Sequence, residues 1–117
     1  MHNFKNLKIW SESIALVSES YKLTRTFPDF EKFALVTQMN RCAVSIPSNI
    51  SKGSSKSTDR HFNKYLEDSL GSTFEWETQL IVALNENYLS EEKFKELEQK
   101  IIQIQKMISR FQSGLNV

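Results

Sequence analysis

The chain has few turn-forming residues and almost no cysteine. Three glycines and two prolines in 117 residues predict few turns, because these two residue types dominate tight turns. The single cysteine, Cys42, excludes an internal disulfide and fits a reducing compartment. No apolar run approaches the roughly 18 residues of a membrane span. Glu12 and Glu19 interrupt the first twenty residues, which does not resemble a signal peptide, so we expect a cytoplasmic protein.

The remaining composition is ordinary for a globular protein, with 25% charged and 39% hydrophobic residues. This length is enough for one domain with one core. The net charge of +1 is spread unevenly: residues 1–65 hold ten Lys/Arg and five Asp/Glu, and residues 66–117 hold five and nine. The asymmetry predicts a basic and an acidic surface, which pair either within the chain or with a neighbouring subunit.

Apolar residues recur at the three-four spacing of amphipathic helices in four segments. The predicted helices cover about residues 5–26, 30–52, 58–86 and 90–113. Asp29, Thr58 and Ser90 are the predicted N-caps of the last three. No segment alternates with period two for long enough to form a strand. Short connections between long helices predict an all-α, up-down-up-down four-helix bundle in a single domain, 1–117.

One apolar stripe on each helix is expected to form the core. The predicted core residues are Trp10, Ile14, Val17, Leu35, Met39, Ile46, Leu66, Leu70, Leu80, Leu97, Ile101, Ile104 and Ile108. Other large apolar residues lie off these stripes: Ile9, Leu16, Phe33, Val36, Phe74, Trp76, Ile81 and Ile102. A monomer would expose many of them, so we predict a homo-oligomer.

A proline and a glycine interrupt the second and third helices. The apolar stripe passes from Ile46 to Ile50 across Pro47, which predicts a kink within a continuing helix rather than its end. Gly53 is expected to end that helix. A mid-helix glycine costs about 1 kcal/mol relative to alanine, so we predict that Gly71 allows the backbones of helices 2 and 3 to approach closely.

Residue patterns typical of catalysis or metal binding are missing. His2, His61 and Cys42 have no partner at the i, i+3 or i, i+4 spacing of a metal site on one helix, and no Glu-x-x-His motif occurs. The Gly-Ser-Lys run that starts at Gly53 has one glycine and follows a helix, unlike a phosphate loop. We therefore expect no enzyme activity, metal or cofactor.

Four basic residues crowd the predicted turn between helices 2 and 3. They are Lys52, Lys56, Arg60 and Lys64, and only Asp59 opposes them. Phosphate affinity grows steeply with the number of cationic contacts. One hypothesis is that this turn binds the RNA or DNA backbone with little sequence preference. The alternative is a solvated loop with ordinary lysines, in an oligomeric scaffold or adaptor whose partner is another protein.

Two motifs resemble a known family. "RCAVSIPSNISKG" (41–53) followed by "HFNKYLEDSLGSTFEWETQL" (61–80) is similar to the four-helix-bundle proteins encoded in intervening sequences of bacterial 23S ribosomal RNA genes. "NFKNLKIW" (3–10) is similar to the opening of that family. The positions that match the family's pattern include Arg41, Ser45, Pro47, Asn49, Gly53, Gly71, Ser72 and Glu75.

The resemblance implies a fold and an assembly rather than an activity. The family forms ring-like homopentamers, and a relative, the accessory variability protein of diversity-generating retroelements, binds nucleic acid and a reverse transcriptase. A nucleic-acid-processing protein is therefore an expected type of partner. Ser51 and Lys52 stand where the family commonly has Ala-Glu, and Phe74 and Trp76 stand where smaller residues are usual. We expect these two aromatic residues on the flank of helix 3 to alter a subunit contact.

Four of the motif residues are expected to orient helices 2 and 3 rather than to recognise a ligand. Arg41, Asn49, Ser72 and Glu75 are predicted to occupy or border packed faces. A buried arginine needs a carboxylate partner, and Glu75 or Asp68 on helix 3 could supply it.

Overall fold

Four α-helices make up most of the chain in the computed structural model, which describes residues 2–117. The helices are α1 (Lys8–Thr24), α2 (Leu35–Ser54), α3 (Asp59–Asn85) and α4 (Glu91–Ser113). Single 3-10 turns at Phe4–Asn6 and Asp29–Glu31 precede α1 and α2. Each helix packs against two others, in the cyclic order α1, α2, α3, α4. The described residues contain no strand, and the prediction of an all-α, four-helix fold is confirmed.

The starts of α3 and α4 follow from local sequence. Thr58 Oγ1 accepts a hydrogen bond from the backbone N–H of His61 at 3.2 Å. Ser90 Oγ accepts one from the N–H of Lys93 at 3.1 Å. Both side chains satisfy a backbone donor that the first helical turn leaves free.

The start of α2 differs from the prediction. Asp29 does not cap it, because Asp29–Glu31 forms its own 3-10 turn after Pro28. Ala34 then adopts φ −120° and ψ −102°, which is not helical, and α2 begins at Leu35. The connection between α1 and α2 is consequently longer than the predicted one.

Helix α1 is rotated relative to the prediction. Ile14, expected in the core, is 41% exposed, and Trp10 and Val17 are only partly buried. The buried face consists of Ile9, Ser13, Leu16, Ser20, Leu23 and Thr24. The prediction that Ile9 and Leu16 lie off the core was therefore wrong. Their stripe contains Ser13 and Ser20, so the neighbouring stripe is more apolar and was predicted to be the buried one.

Hydrogen bonds from other helices satisfy the polar part of this buried face. Trp76 of α3 is fully buried, not on a flank as predicted, and its Nε1–H donates to Ser20 Oγ at 3.0 Å. The Ser20 hydroxyl donates to Asn40 Oδ1 at 2.9 Å, and Asn40 Nδ2 donates to Thr24 Oγ1 at 3.0 Å. The network joins α1, α2 and α3, and a satisfied buried network favours one packing arrangement.

The stripes predicted for α2, α3 and α4 face the core. Their buried members are Met39, Ile46, Leu66, Leu80, Leu97, Ile101, Ile104 and Ile108. Leu35 and Leu70 are partly buried against this cluster. Across residues 2–117, no helix combines the length and the apolar character that a membrane crossing requires.

The close approach of α2 and α3 occurs at Gly53, not at Gly71. A Cβ added to Gly53 would lie 2.7 Å from Tyr65 Cβ and 2.8 Å from Phe62 Cδ1, whereas one added to Gly71 would meet nothing within 4 Å. The prediction for Gly71 was wrong because this residue lies on the exposed side of α3. Helix α2 continues through Pro47, which is buried.

Candidate functional site

The turn between α2 and α3 carries the four predicted basic residues. Lys52 lies in the last turn of α2, Lys56 in the connection, and Arg60 and Lys64 in the first two turns of α3. Lys56 is partly buried and the other three are exposed. The turn between α2 and α3 therefore places all four at the same end of the bundle.

The ring of Tyr65 is the centre of this cluster. Lys52 Nζ lies 5.8 Å and Lys56 Nζ lies 5.1 Å from the centroid of that ring, within the range of cation–π attraction. Lys56, Lys64 and Tyr65 also line one shallow depression of about 430 Å³. Three of the four predicted cations thus lie around one aromatic side chain.

His61 and Asp68 also line the depression, and sequence reasoning assigned neither to the site. Together with Lys64 and Tyr65 they follow the spacing i, i+3, i+4, i+7, which places all four on one face of α3. That spacing was the signal that could have identified them. Arg60 is not among the lining residues, so it belongs to the same end of the bundle but not to the depression.

Asp59, the acid expected to oppose the basic residues, is bonded elsewhere. Its Oδ2 accepts a hydrogen bond from the backbone N–H of Asn116 at 3.0 Å, and its Oδ1 lies 3.8 Å from His2 Nε2. The imidazole of His2 packs against Phe62 and Phe111, with ring centroids 5.0 Å and 5.9 Å away. Asp59 therefore joins both ends of the chain to the start of α3.

The basic residues are left without acidic partners inside the described part of the chain. None of its ion pairs includes Lys52, Lys56, Arg60 or Lys64. One acid, Asp68, lines the depression together with Lys56 and Lys64. Cations that form no ion pair within the described residues are free to contact an anion such as a phosphate group.

Among the polar motif positions, Ser45 and Ser72 bridge α2 and α3, whereas Asn49 bonds within α2. The Ser45 and Ser72 hydroxyl oxygens lie 2.7 Å apart, and the Ser45 hydroxyl donates to the carbonyl of Cys42 at 2.6 Å. Asn49 Nδ2 donates to the carbonyl of Ser45 at 2.9 Å. The polar motif positions between the two helices thus bond the backbone and each other.

The predicted buried ion pair of Arg41 is wrong. Arg41 and Glu75 are both exposed, and Arg41 takes part in none of the ion pairs formed by residues 2–117. Arg41 lies on the outer side of α2 beside Val44 and Phe33. Its guanidinium therefore stays in solvent.

Cys42 has the properties of a packed, protonated thiol. It is buried, and its Sγ donates to the carbonyl of Ser72 at 3.1 Å. Burial, and to a smaller degree the nearby negative charge of Glu75, raises the pKa of Cys42 to about 12. The reactive thiolate is therefore scarce at neutral pH. Within the described residues, no three His, Cys, Asp or Glu side chains are placed to hold a metal ion.

Known proteins resemble the chain in sequence pattern and in fold. The family model of the 23S rRNA-intervening sequence protein matches residues 5–110. Among curated proteins, none matches. The fold is similar to that in the crystal structure of a protein of unknown function from the S23 ribosomal protein family of Bacteroides thetaiotaomicron VPI-5482, with a TM-score of 0.83 and 19% identity over 90% of this chain and 95% of that chain.

The family match spans all four helices, and the structural similarity independently supports the four-helix fold. The region matched by the family model includes the α2–α3 turn and the motif residues that resemble the family. The chain belongs to the family of 23S rRNA-intervening sequence proteins.

Proposed function

We propose that this protein is a non-enzymatic, self-associating bundle that binds the phosphate backbone of RNA or DNA through its basic turn, defined as Lys52, Lys56, Arg60 and Lys64. The observation that carries the proposal is that three lysines lie around Tyr65 and its depression and form no ion pair with any other of residues 2–117. Contacts to phosphate do not depend on base sequence, so binding is expected to be weakly sequence-dependent.

Exposed aromatic residues support the self-association. Phe33 is 88% and Phe74 54% exposed, and monomeric proteins rarely expose large apolar patches. In the ring-like homopentamer that the family resemblance implies, the basic turn would repeat around one rim. Repetition would multiply the number of phosphates contacted by one assembly. A cytoplasmic location is part of the proposal, because the one cysteine is a free thiol.

The test is the salt dependence of binding to labelled RNA and DNA of several sequences, measured by fluorescence anisotropy. The logarithm of the binding constant is expected to fall linearly with the logarithm of salt concentration, by about 0.9 per phosphate contact on duplex DNA and about 0.7 on single strands. Changing all four residues of the basic turn to glutamine should flatten this slope and leave helix content and assembly mass unchanged.

A matched control removes the same charge elsewhere. Lys22, Arg25, Lys95 and Lys106 are exposed and lie away from the turn, so changing them to glutamine should preserve most of the slope. A slope that survives the change in the basic turn, or that falls equally in the control, contradicts the proposed site. No binding to either nucleic acid at about 50 mM salt, where phosphate contacts are strong, contradicts the nucleic-acid function.

A second candidate is an oligomeric scaffold or adaptor that binds a protein partner. The observation that favours it is Asp68 on the wall of the basic depression, since a carboxylate there repels phosphate. Asp68→Asn separates the two functions. The variant should bind nucleic acid more tightly than the wild type if the depression meets phosphate. If the partner is a protein and the chain has no nucleic-acid role, neither the wild type nor the variant binds nucleic acid.

A further inference from the structure

Two neighbouring depressions form a continuous apolar surface on α1 and α2, here called the α1–α2 face. They share Val44, and its main apolar members are Trp10, Ile14, Val17, Tyr21, Phe33, Val36 and Val44. Lys32 and Arg41 also line this face, and none of the described residues lining either depression is acidic. The face is therefore apolar and basic.

On the other side of α1, a groove of about 380 Å³ runs between α1 and α4, here called the α1–α4 groove. Its apolar lining is Ala15, Leu16, Ile104 and Met107, and its charged lining is Glu12, Glu19, Glu96 and Lys100. Acids outnumber bases in this lining. The groove is therefore apolar at its floor and acidic at its edges, which is the charge pattern opposite to that of the α1–α2 face.

The charged residues that form no ion pair within one chain also have opposite signs on the two surfaces. Glu19 and Glu96 are held by Lys100 at 3.3 Å and 3.7 Å, whereas Glu12 takes part in no ion pair of the described residues. Lys32 and Arg41 likewise take part in none. A second copy of the chain would supply each surface with its missing partner, because complementary charges fix the register of an interface.

Among the large apolar residues in the range 2–117, Phe33 is the most exposed, at 88%. It belongs to the connection before α2, and the Nζ of Lys32 lies 5.5 Å from the centroid of its ring. Aromatic and arginine side chains supply much of the energy of protein interfaces when they fill an apolar pocket. The groove floor of Leu16, Ile104 and Met107 offers such a pocket.

We propose that the α1–α2 face of one copy docks into the α1–α4 groove of a second copy, with Phe33 against the groove floor and Lys32 or Arg41 near Glu12. This inference rests on the self-association in the proposed function and names the two surfaces that carry it. The interface is heterologous, since unlike surfaces meet, and such contacts produce closed rings when the rotation between subunits closes. Both surfaces include α1 and lie on adjacent sides of the bundle, so successive subunits turn in one direction.

Three exposed positions test this pairing. Phe33→Glu disrupts the α1–α2 face, and Ala15→Trp fills the α1–α4 groove. Phe30→Glu is the matched control, because Phe30 is 77% exposed and three residues from Phe33 but lines neither surface. The mass of each variant is measured by light scattering coupled to size exclusion, and circular dichroism checks that helix content is unchanged.

The first two variants are expected to be monomers of 13.6 kDa, while Phe30→Glu keeps the wild-type mass. In a mixture of the two variants, Phe33→Glu supplies an intact α1–α4 groove and Ala15→Trp supplies an intact α1–α2 face. The mixture is therefore expected to form a heterodimer of twice the chain mass, with no larger species.

The proposal is overturned if Phe33→Glu keeps the wild-type mass, if Phe30→Glu dissociates equally, or if the two monomeric variants fail to combine. If the wild type is oligomeric in any of these cases, the self-association in the proposed function still holds, and only the proposed pairing of the two surfaces is wrong. A wild type that stays at 13.6 kDa at every concentration contradicts both.

Discussion

The α2–α3 seam and the α1–α4 seam lie on opposite sides of the bundle and are held together differently. At the α2–α3 seam the helices are so close that Gly53 has no room for a Cβ, and the Ser69 hydroxyl donates to the carbonyl of Ile46 at 2.9 Å. At the α1–α4 seam, Lys100 reaches Glu19 at 3.3 Å across the opening of the groove.

The difference follows from side-chain size. Small residues allow two backbones to approach, and buried hydrogen bonds then replace contacts with water. At the α1–α4 seam the long charged side chains of Lys100 and Glu19 bridge a groove instead, and an exposed ion pair contributes little stability. The tight seam is therefore expected to stabilise the fold, and the open seam leaves apolar surface for a partner.

The largest expected effect comes from truncating one core residue at each seam. Leu66→Ala and Ile104→Ala each remove a buried side chain, 0% and 4% exposed, and each is expected to lower the free energy of unfolding by about 2–5 kcal/mol. Ile104→Ala should fall at the lower end, because Ile104 forms part of the groove floor and the open seam relaxes more easily.

Urea unfolding followed by circular dichroism measures both losses, at one fixed protein concentration because self-association shifts apparent stability. A loss below about 0.5 kcal/mol for Ile104→Ala, far under the range for core truncation, would place the α4 stripe outside the core. Equal losses would remove the proposed difference between the seams.

A smaller pair of effects with opposite signs comes from the two glycines of this comparison. Gly53→Ala places a methyl group against Tyr65 and Phe62 and is expected to cost about 1–3 kcal/mol. Gly71→Ala meets nothing within 4 Å and should stabilise α3 by about 0.5–1 kcal/mol. Thermal and urea unfolding of both variants give the signs. Stabilisation by Gly53→Ala would show that α2 and α3 can separate at little cost.

The smallest effect is expected from the ion pair across the open seam. Burial raises the pKa of Glu19, but the hydrogen bond from Lys100 and the charges of Lys100, Lys93 and Lys22 outweigh it and hold the pKa below its usual value. Because the folded pKa is lowered, the stabilisation is present above the unfolded pKa of glutamate and is lost as pH falls through the folded one.

Lys100→Gln is therefore expected to cost about 0.2–1 kcal/mol at neutral pH and less in acid. Lys95→Gln is the control, since Lys95 is exposed and forms none of the ion pairs in residues 2–117. Unfolding curves of both variants at neutral and acidic pH measure the difference. A cost that grows as pH falls would assign the effect to something other than the Glu19 carboxylate.

The candidate site could be predicted in part because local sequence determines most of it. A turn between two predicted helices necessarily brings Lys52, Lys56 and Lys64 to one end of the bundle. The orientation of the Asp59 side chain could not be predicted, because it depends on a hydrogen bond from the backbone N–H of Asn116 at the far end of the chain. Arg41 was predicted to be buried, because a motif shows which residue is present but not which way its helix is turned.

The sequence by itself determined the four helices, the caps at Thr58 and Ser90, and the buried stripe of α4, because spacing and capping are local properties. Only the tertiary structure decided which stripe of α1 is buried. The stripe that includes Ile14 is the more apolar one, yet α1 buries the stripe that contains Ser20. Asn40 and Trp76 make this possible, since they come from other helices and satisfy the serine with hydrogen bonds that the periodicity of α1 cannot reveal.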